Sequence, residues 1–135
     1  MTLTTLGVPV VPSRLDGSPG PGAAPASGPL LDSYGRVATD LRISLTDRCN
    51  LRCSYCMPAE GLDWLPGEHL LRSDELARLI TIAVTRLGVT GVRFTGGEPL
   101  LARHLETVVA AAAALRPRPE ISLTTNGVGL ARRAA

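Results

Sequence analysis

From Asp74 to Leu87 the apolar side chains fall at Leu76, Leu79, Ile80, Ala83, Val84 and Leu87, the three-and-four spacing that lines one face of an α-helix. Ser73 stands where an N-cap belongs, Asp74 and Glu75 put acids in the first turn, and Gly88 follows the last apolar position. Both ends of the helix therefore carry boundary signals. Leu41, Ile43 and Leu45 alternate with polar residues, the period of a half-buried strand over Leu41–Leu45. Further strands are predicted at Gly91–Thr95 and Glu120–Thr125, a second helix over about Arg103–Leu115 ahead of Pro117, and a third over Gly129–Ala135. The order βαβαβ implies parallel strands joined by right-handed crossovers, in a doubly wound sheet or a barrel. In both, ligands collect at the carboxyl ends of the strands. Each polar motif here follows a strand: Cys49 to Cys56, then Gly96-Gly97-Glu98-Pro99, then Thr124-Thr125-Asn126-Gly127. One rim is expected to hold all three.

The stretch Met1 to Gly28 has no such pattern. It is crowded with Pro, Gly, Ala and Ser, a composition that cannot bury enough apolar surface to offset its ordering entropy. Residues 1–36 are expected to form a disordered extension, with the folded α/β region over 37–135. A chain of 135 residues has room for one hydrophobic core. No segment approaches the roughly 20 apolar residues of a membrane helix. The formal charge is only +2 and every cation is arginine, which argues against a nucleic-acid tail and draws attention to single arginine forks. Three cysteines make an odd number, and no basic start leads into an apolar segment and cleavage site. A reducing, cytoplasmic setting is expected.

The loop Thr46-Asp47-Arg48-Cys49-Asn50-Leu51-Arg52-Cys53-Ser54-Tyr55-Cys56-Met57-Pro58 spaces its cysteines four and then three positions apart, close enough to face one small inorganic core. A structural zinc site or an ordinary cubane asks for four protein ligands. Three thiolates on a four-iron cluster leave one iron open to an external donor. Other readings of the same residues stand beside this one. Cys53 and Cys56 alone form a C-x2-C pair, which suits half a zinc site completed by His69 or His104, or a dithiol couple; a buried structural trio is the remaining alternative.

The motif C-x3-C-x2-C with Tyr55 ahead of the third cysteine resembles the radical S-adenosylmethionine (SAM) superfamily, and Gly96-Gly97-Glu98-Pro99 after the second strand extends the resemblance. It implies a [4Fe-4S] cluster on Cys49, Cys53 and Cys56, with SAM chelated on the open iron and contacted by Tyr55, Gly96, Gly97 and Glu98. Electron transfer into SAM would release methionine and a 5′-deoxyadenosyl radical. Asp47, Arg48, Asn50 and Arg52 would shape the cluster loop and its field. The longer strings Leu41 to Asn50, Cys56-Met57-Pro58, Val92-Arg93 and Leu123 to Gly127 look like the GTP 3′,8-cyclase family of molybdenum cofactor biosynthesis. That likeness runs from about Leu30 onward and implies GTP contacts at Arg42, Arg93 and Thr124, a low-potential electron donor, and room for a homodimer. It also implies that 37–135 is the N-terminal portion of an incomplete (βα)6 barrel, with the remaining units and a second three-cysteine cluster beyond Ala135, and that this portion is poorly stable alone. A peptide or protein maturase of the same superfamily is the nearest alternative, and a zinc-binding interaction module the alternative of another class. Tyr34, Trp64 and Phe94 are expected to pack, and His69 and His104 to be structural.

Overall fold

The computed structural model describes residues 28–32, 34 and 36–133. Of the extension expected over 1–36, residues 1–27, 33 and 35 lie outside these residues, as do Ala134 and Ala135. Strand β1 (Leu30–Leu31) pairs antiparallel with β2 (Val37–Ala38), and Gly28 N–H donates to the Arg86 carbonyl at 2.8 Å. Regular structure therefore begins before Val37, ahead of the boundary expected from composition. Asp32 closes this short hairpin, its carboxylate accepting the backbone N–H groups of Tyr34 and Arg36. Such local side-chain turns leave little hydrophobic trace in a sequence.

Strand β3 (Asp40–Ser44), helix α1 (Ser73–Arg86), strand β4 (Gly91–Thr95), helix α2 (Leu105–Ala113), strand β5 (Glu120–Leu123) and the short helix α3 (Leu130–Arg133) complete the order. The three longer strands form a parallel sheet in the sequence β3-β4-β5, with Arg42 opposite Arg93 and Arg93 opposite Ser122. Period-two alternation divides this sheet into two faces. Ile43, Val92 and Phe94 are buried with Leu76, Ile80, Ala83 and Val84 of α1 and Leu105, Val108 and Ala112 of α2. The opposite face carries Arg42, Ser44, Arg93, Thr95, Ser122 and Thr124. Both crossover helices share one core and pack against each other, whereas a doubly wound sheet divides its helices between two faces.

Helix α1 starts one residue earlier than expected. Ser73 is its first residue and no cap; the Glu75 carboxylate instead reaches back to accept the Arg72 N–H at 2.8 Å, the return half of a capping box. Leu79, predicted on the buried stripe, is 49% exposed, because the sheet ends at β3 and nothing among the described residues covers that flank. Phe94 is fully buried, as a packing residue should be. Tyr34 is not: it is 82% exposed beneath the Arg36 guanidinium at 5.5 Å, since so short a hairpin offers no core. Trp64 is half-buried against Arg52, 5.6 Å from its guanidinium carbon.

Candidate functional site

The cysteine loop leaves the carboxyl end of β3 and immediately joins the turn that follows β4. Leu45 N–H donates to the Thr95 carbonyl at 2.9 Å, Gly97 N–H to Thr46 at 2.7 Å, and Glu98 N–H to Arg48 at 2.8 Å. The parallel ladder thus continues past the strands and clamps the start of the loop. The two glycines are needed for this contact. A Cβ at Gly96 would lie 2.5 Å from the Thr46 carbonyl oxygen, at a φ of +149°. One at Gly97 would overlap the Asp47 and Arg48 carbonyl oxygens and approach the Arg48 carbonyl carbon to 2.6 Å. Glycine permits close approach of a backbone, and here the approaching backbone is the protein's own.

Beyond this clamp the loop doubles back. Cys56 and Met57 N–H both donate to the Cys53 carbonyl, at 2.9 and 3.0 Å, which turns Cys53 and Cys56 toward the same side. Leu51 N–H points at the Cys49 sulfur, 3.5 Å away. Arg52 closes the loop from outside, its Nη1 donating to the Cys49 and Leu51 carbonyls at 2.9 and 3.0 Å while its plane lies over Trp64. All three cysteines are free thiols, and all three line one cavity of about 310 Å³ together with Tyr55, Gly96, Gly97, Glu98, Thr124, Thr125 and Asn126. Among the described residues no three His, Cys, Asp or Glu side chains are already gathered at metal-ligating separation; the thiols share a cavity wall without meeting at a point. The donor set nevertheless fits a cluster held by three thiolates, because these are soft ligands on one loop with an amide aimed at a sulfur. Neither histidine shares the cavity: His69 is exposed on a single 3₁₀ turn, and His104 precedes α2. Tyr55 stands 91% exposed at the mouth, its hydroxyl pushed up from the ordinary value mainly by negative charge on Cys53.

Glu98, expected on the cofactor, is only 1% exposed. Its Oε1 accepts the Thr125 hydroxyl at 2.6 Å and Leu100 N–H at 3.0 Å, and its Oε2 accepts Asn126 N–H at 2.8 Å. Burial would raise this carboxyl, yet the donors from Thr125, Asn126 and Leu100 outweigh it and hold it below its ordinary 4.5. The folded state therefore binds this proton less readily than the unfolded chain does. The resulting stability is complete above 4.5 and is lost as pH falls through the lower folded value. Urea midpoints recorded from neutral pH downward are expected to hold until that range and then drop, and Glu98→Gln should flatten this part of the profile.

Arg42 and Arg93 do not line the cysteine cavity. They lie mid-strand on the polar face and line a separate hollow with Asp40 and Leu41. The structure thus unites the cysteine loop, the glycine turn and Thr124 to Asn126 at one rim, and sets the two arginines below it. Directly opposed like charges oppose strand pairing, yet among the described residues neither arginine has a carboxylate partner. Arg93 Nε reaches only the Ser122 hydroxyl, at 3.3 Å. Sequence reasoning missed the bond from Asn126 Nδ2 to Asn50 Oδ1, 2.9 Å long across 76 residues, for which no local pattern exists.

The three-cysteine loop is thus clamped to a glycine turn at the carboxyl end of a parallel sheet, the rim expected to hold the polar motifs. The family model for the radical SAM superfamily matches residues 43–135, and the chain belongs to that superfamily. It is 77% identical over 135 residues to the GTP 3′,8-cyclase of Mycobacterium marinum, covering 100% of this chain and 38% of that relative. It is 76% identical over 134 residues to GTP 3′,8-cyclase 2 of Mycobacterium tuberculosis, covering 99% and 37%. Against the GTP 3′,8-cyclase of Mycolicibacterium smegmatis it is 74% identical over 135 residues, covering 99% and 37%. The chain spans less than two fifths of the length of these curated relatives. No helix among the described residues is long and apolar enough to cross a membrane.

Proposed function

We propose that this sequence encodes the radical-initiating part of a GTP 3′,8-cyclase, the first enzyme of molybdenum cofactor biosynthesis, within an incomplete (βα)6 barrel. The sequential strand order with both helices on one face supports the barrel reading. Cys49, Cys53 and Cys56 would hold a [4Fe-4S] cluster, which when bound supplies the electron that cleaves SAM reductively. Tyr55 at the mouth and the Gly96-Gly97 backbone along the wall would orient SAM, with Glu98 in the same wall. A low-potential donor would deliver the electron.

The observation that carries the substrate assignment is the polar face. Arg42 and Arg93 stand in register and, among the described residues, neither is ion-paired, although Asp40 lines their hollow; the same face passes through Ser122 to Thr124, a wall of the cysteine cavity. A triphosphate seated on the arginine forks supplies the missing negative charge. Thr124 then stands where the nucleoside end would approach the cavity, which is the arrangement hydrogen abstraction from a ribose requires.

The test uses the polypeptide carrying this sequence, reconstituted anaerobically with iron and sulfide. Reduction in the presence of SAM should release 5′-deoxyadenosine, and failure to do so with iron bound would overturn the radical reading. Arg42→Ala and Arg93→Ala should each weaken GTP binding roughly 10- to 100-fold, the worth of a charge-assisted hydrogen bond, while deoxyadenosine release without GTP persists. Unchanged GTP affinity after loss of both arginines would overturn the substrate assignment.

A further inference from the structure

Three segments meet at the cysteine cavity: the loop after β3, the turn after β4 and the loop after β5. Backbone bonds join the first two. The third, Thr124 to Gly127, lies beyond the end of β5 at Leu123; Thr124 N–H still donates to the Phe94 carbonyl at 2.9 Å, and past it the segment is held to the other two by side chains. Glu98 receives both Thr125 and Asn126. Thr125 Oγ1 in turn accepts Gly127 N–H at 3.0 Å, so its own proton is committed to Glu98. Asn126 uses its side-chain carbonyl for Val128 N–H at 2.9 Å and its amide for Asn50 in the cysteine loop.

We propose that Glu98 is a positioning residue whose buried carboxylate fixes the loop after β5 against the glycine turn and, through Asn126 and Asn50, against the cysteine loop. The inference deepens the SAM-site reading and rests on it. An ionised carboxylate withdrawn from water must be met by donors, and here the protein itself supplies three. A direct ligand for the ammonium group of SAM would present a free oxygen to the cavity. Glu98 borders the cavity but presents only 1% of its surface, and both of its carboxylate oxygens are already taken by donors of the protein. Its carboxylate is placed to hold the opposite wall, where Thr124 and Asn126 stand, at fixed separation from the thiols. Networks of this kind couple their members, so their losses do not add.

Glu98→Gln turns an amide donor toward Asn126 N–H or Thr125, and Thr125→Val removes the hydroxyl at nearly constant shape. In the anaerobically reconstituted protein, each variant is expected to speed amide exchange over residues 124–128 about tenfold or more. Each should weaken binding of S-adenosylhomocysteine, the probe used in calorimetry, by a similar factor at unchanged iron content. The double variant should lose no more than the worse single one, and Thr125→Ser, which retains the hydroxyl, should restore both measurements. The proposal is overturned if Glu98→Gln weakens the probe while exchange over 124–128 stays at the parent level, or if the two losses multiply. Should Glu98→Gln not fold, Thr125→Val and Thr125→Ser decide the matter on the same two readings. Failure of the SAM-site reading is distinct: the parent protein would not bind the probe, while exchange alone would still report whether the clamp exists.

Discussion

Replacing Gly97 with alanine is expected to unseat the cysteine loop and abolish iron retention. The new methyl group would overlap the carbonyl oxygens of Asp47 and Arg48, which are backbone atoms held in place by the bonds from Gly97 to Thr46 and from Glu98 to Arg48. A flexible side chain could swing aside; this backbone can move only by breaking the ladder. Overpacking costs about 1–3 kcal/mol, sometimes more, and two backbone bonds at about 1 kcal/mol each are lost with it. Arg48 directly precedes Cys49, so the displacement is transmitted to the first thiolate. Iron and sulfide per chain after anaerobic reconstitution should fall close to zero, whereas Gly67→Ala, where an added Cβ meets nothing within 4 Å, should retain the parent value. A Gly97→Ala protein with full iron content would show that the glycine pair does not seat the loop.

Replacing Phe94 with alanine is expected to be the most destabilising single change in the sheet. Phe94 is fully buried on β4, the middle strand of the sheet, between Ile43 on one neighbour and Leu123 on the other, and it faces the core shared with α1 and α2. Truncating a buried phenylalanine removes its transfer free energy and leaves a cavity, together about 3–5 kcal/mol. Against a total stability of about 5–15 kcal/mol for an ordinary domain, that loss takes a large share of the margin. Equilibrium urea denaturation followed by circular dichroism should show a much lower midpoint, and Leu101→Ala, at a 45% exposed position, should move it little. Similar shifts for the two variants would place the core elsewhere.

The strand order, the two long helices and the grouping of three motifs at strand ends were readable along the chain. Each rests on a short-range rule: alternation for β4, three-and-four spacing for α1, and cysteine spacing for the loop. The misreadings have a common origin. Ser73 is a good cap residue in isolation, but the Glu75 carboxylate reaches the same end of the helix, and Leu79 sits at the flank of its apolar stripe, where it stays half exposed. Tyr34 and the β1–β2 hairpin were hidden because a two-residue pairing has too few positions to show a period.

Residue types and spacings determined that three thiols and a glycine pair would stand at the carboxyl end of a parallel sheet, because these depend on neighbours within a turn or two. Folding decided what those groups do to one another. It turned the glycines toward the chain's own carbonyls, buried Glu98 under donors 27 and 28 residues away, and set Arg42 beside Arg93 with no ion pair to either among the described residues. Such pairings arise from strand register and from segments meeting in space, and local composition carries no record of which distant group will be there.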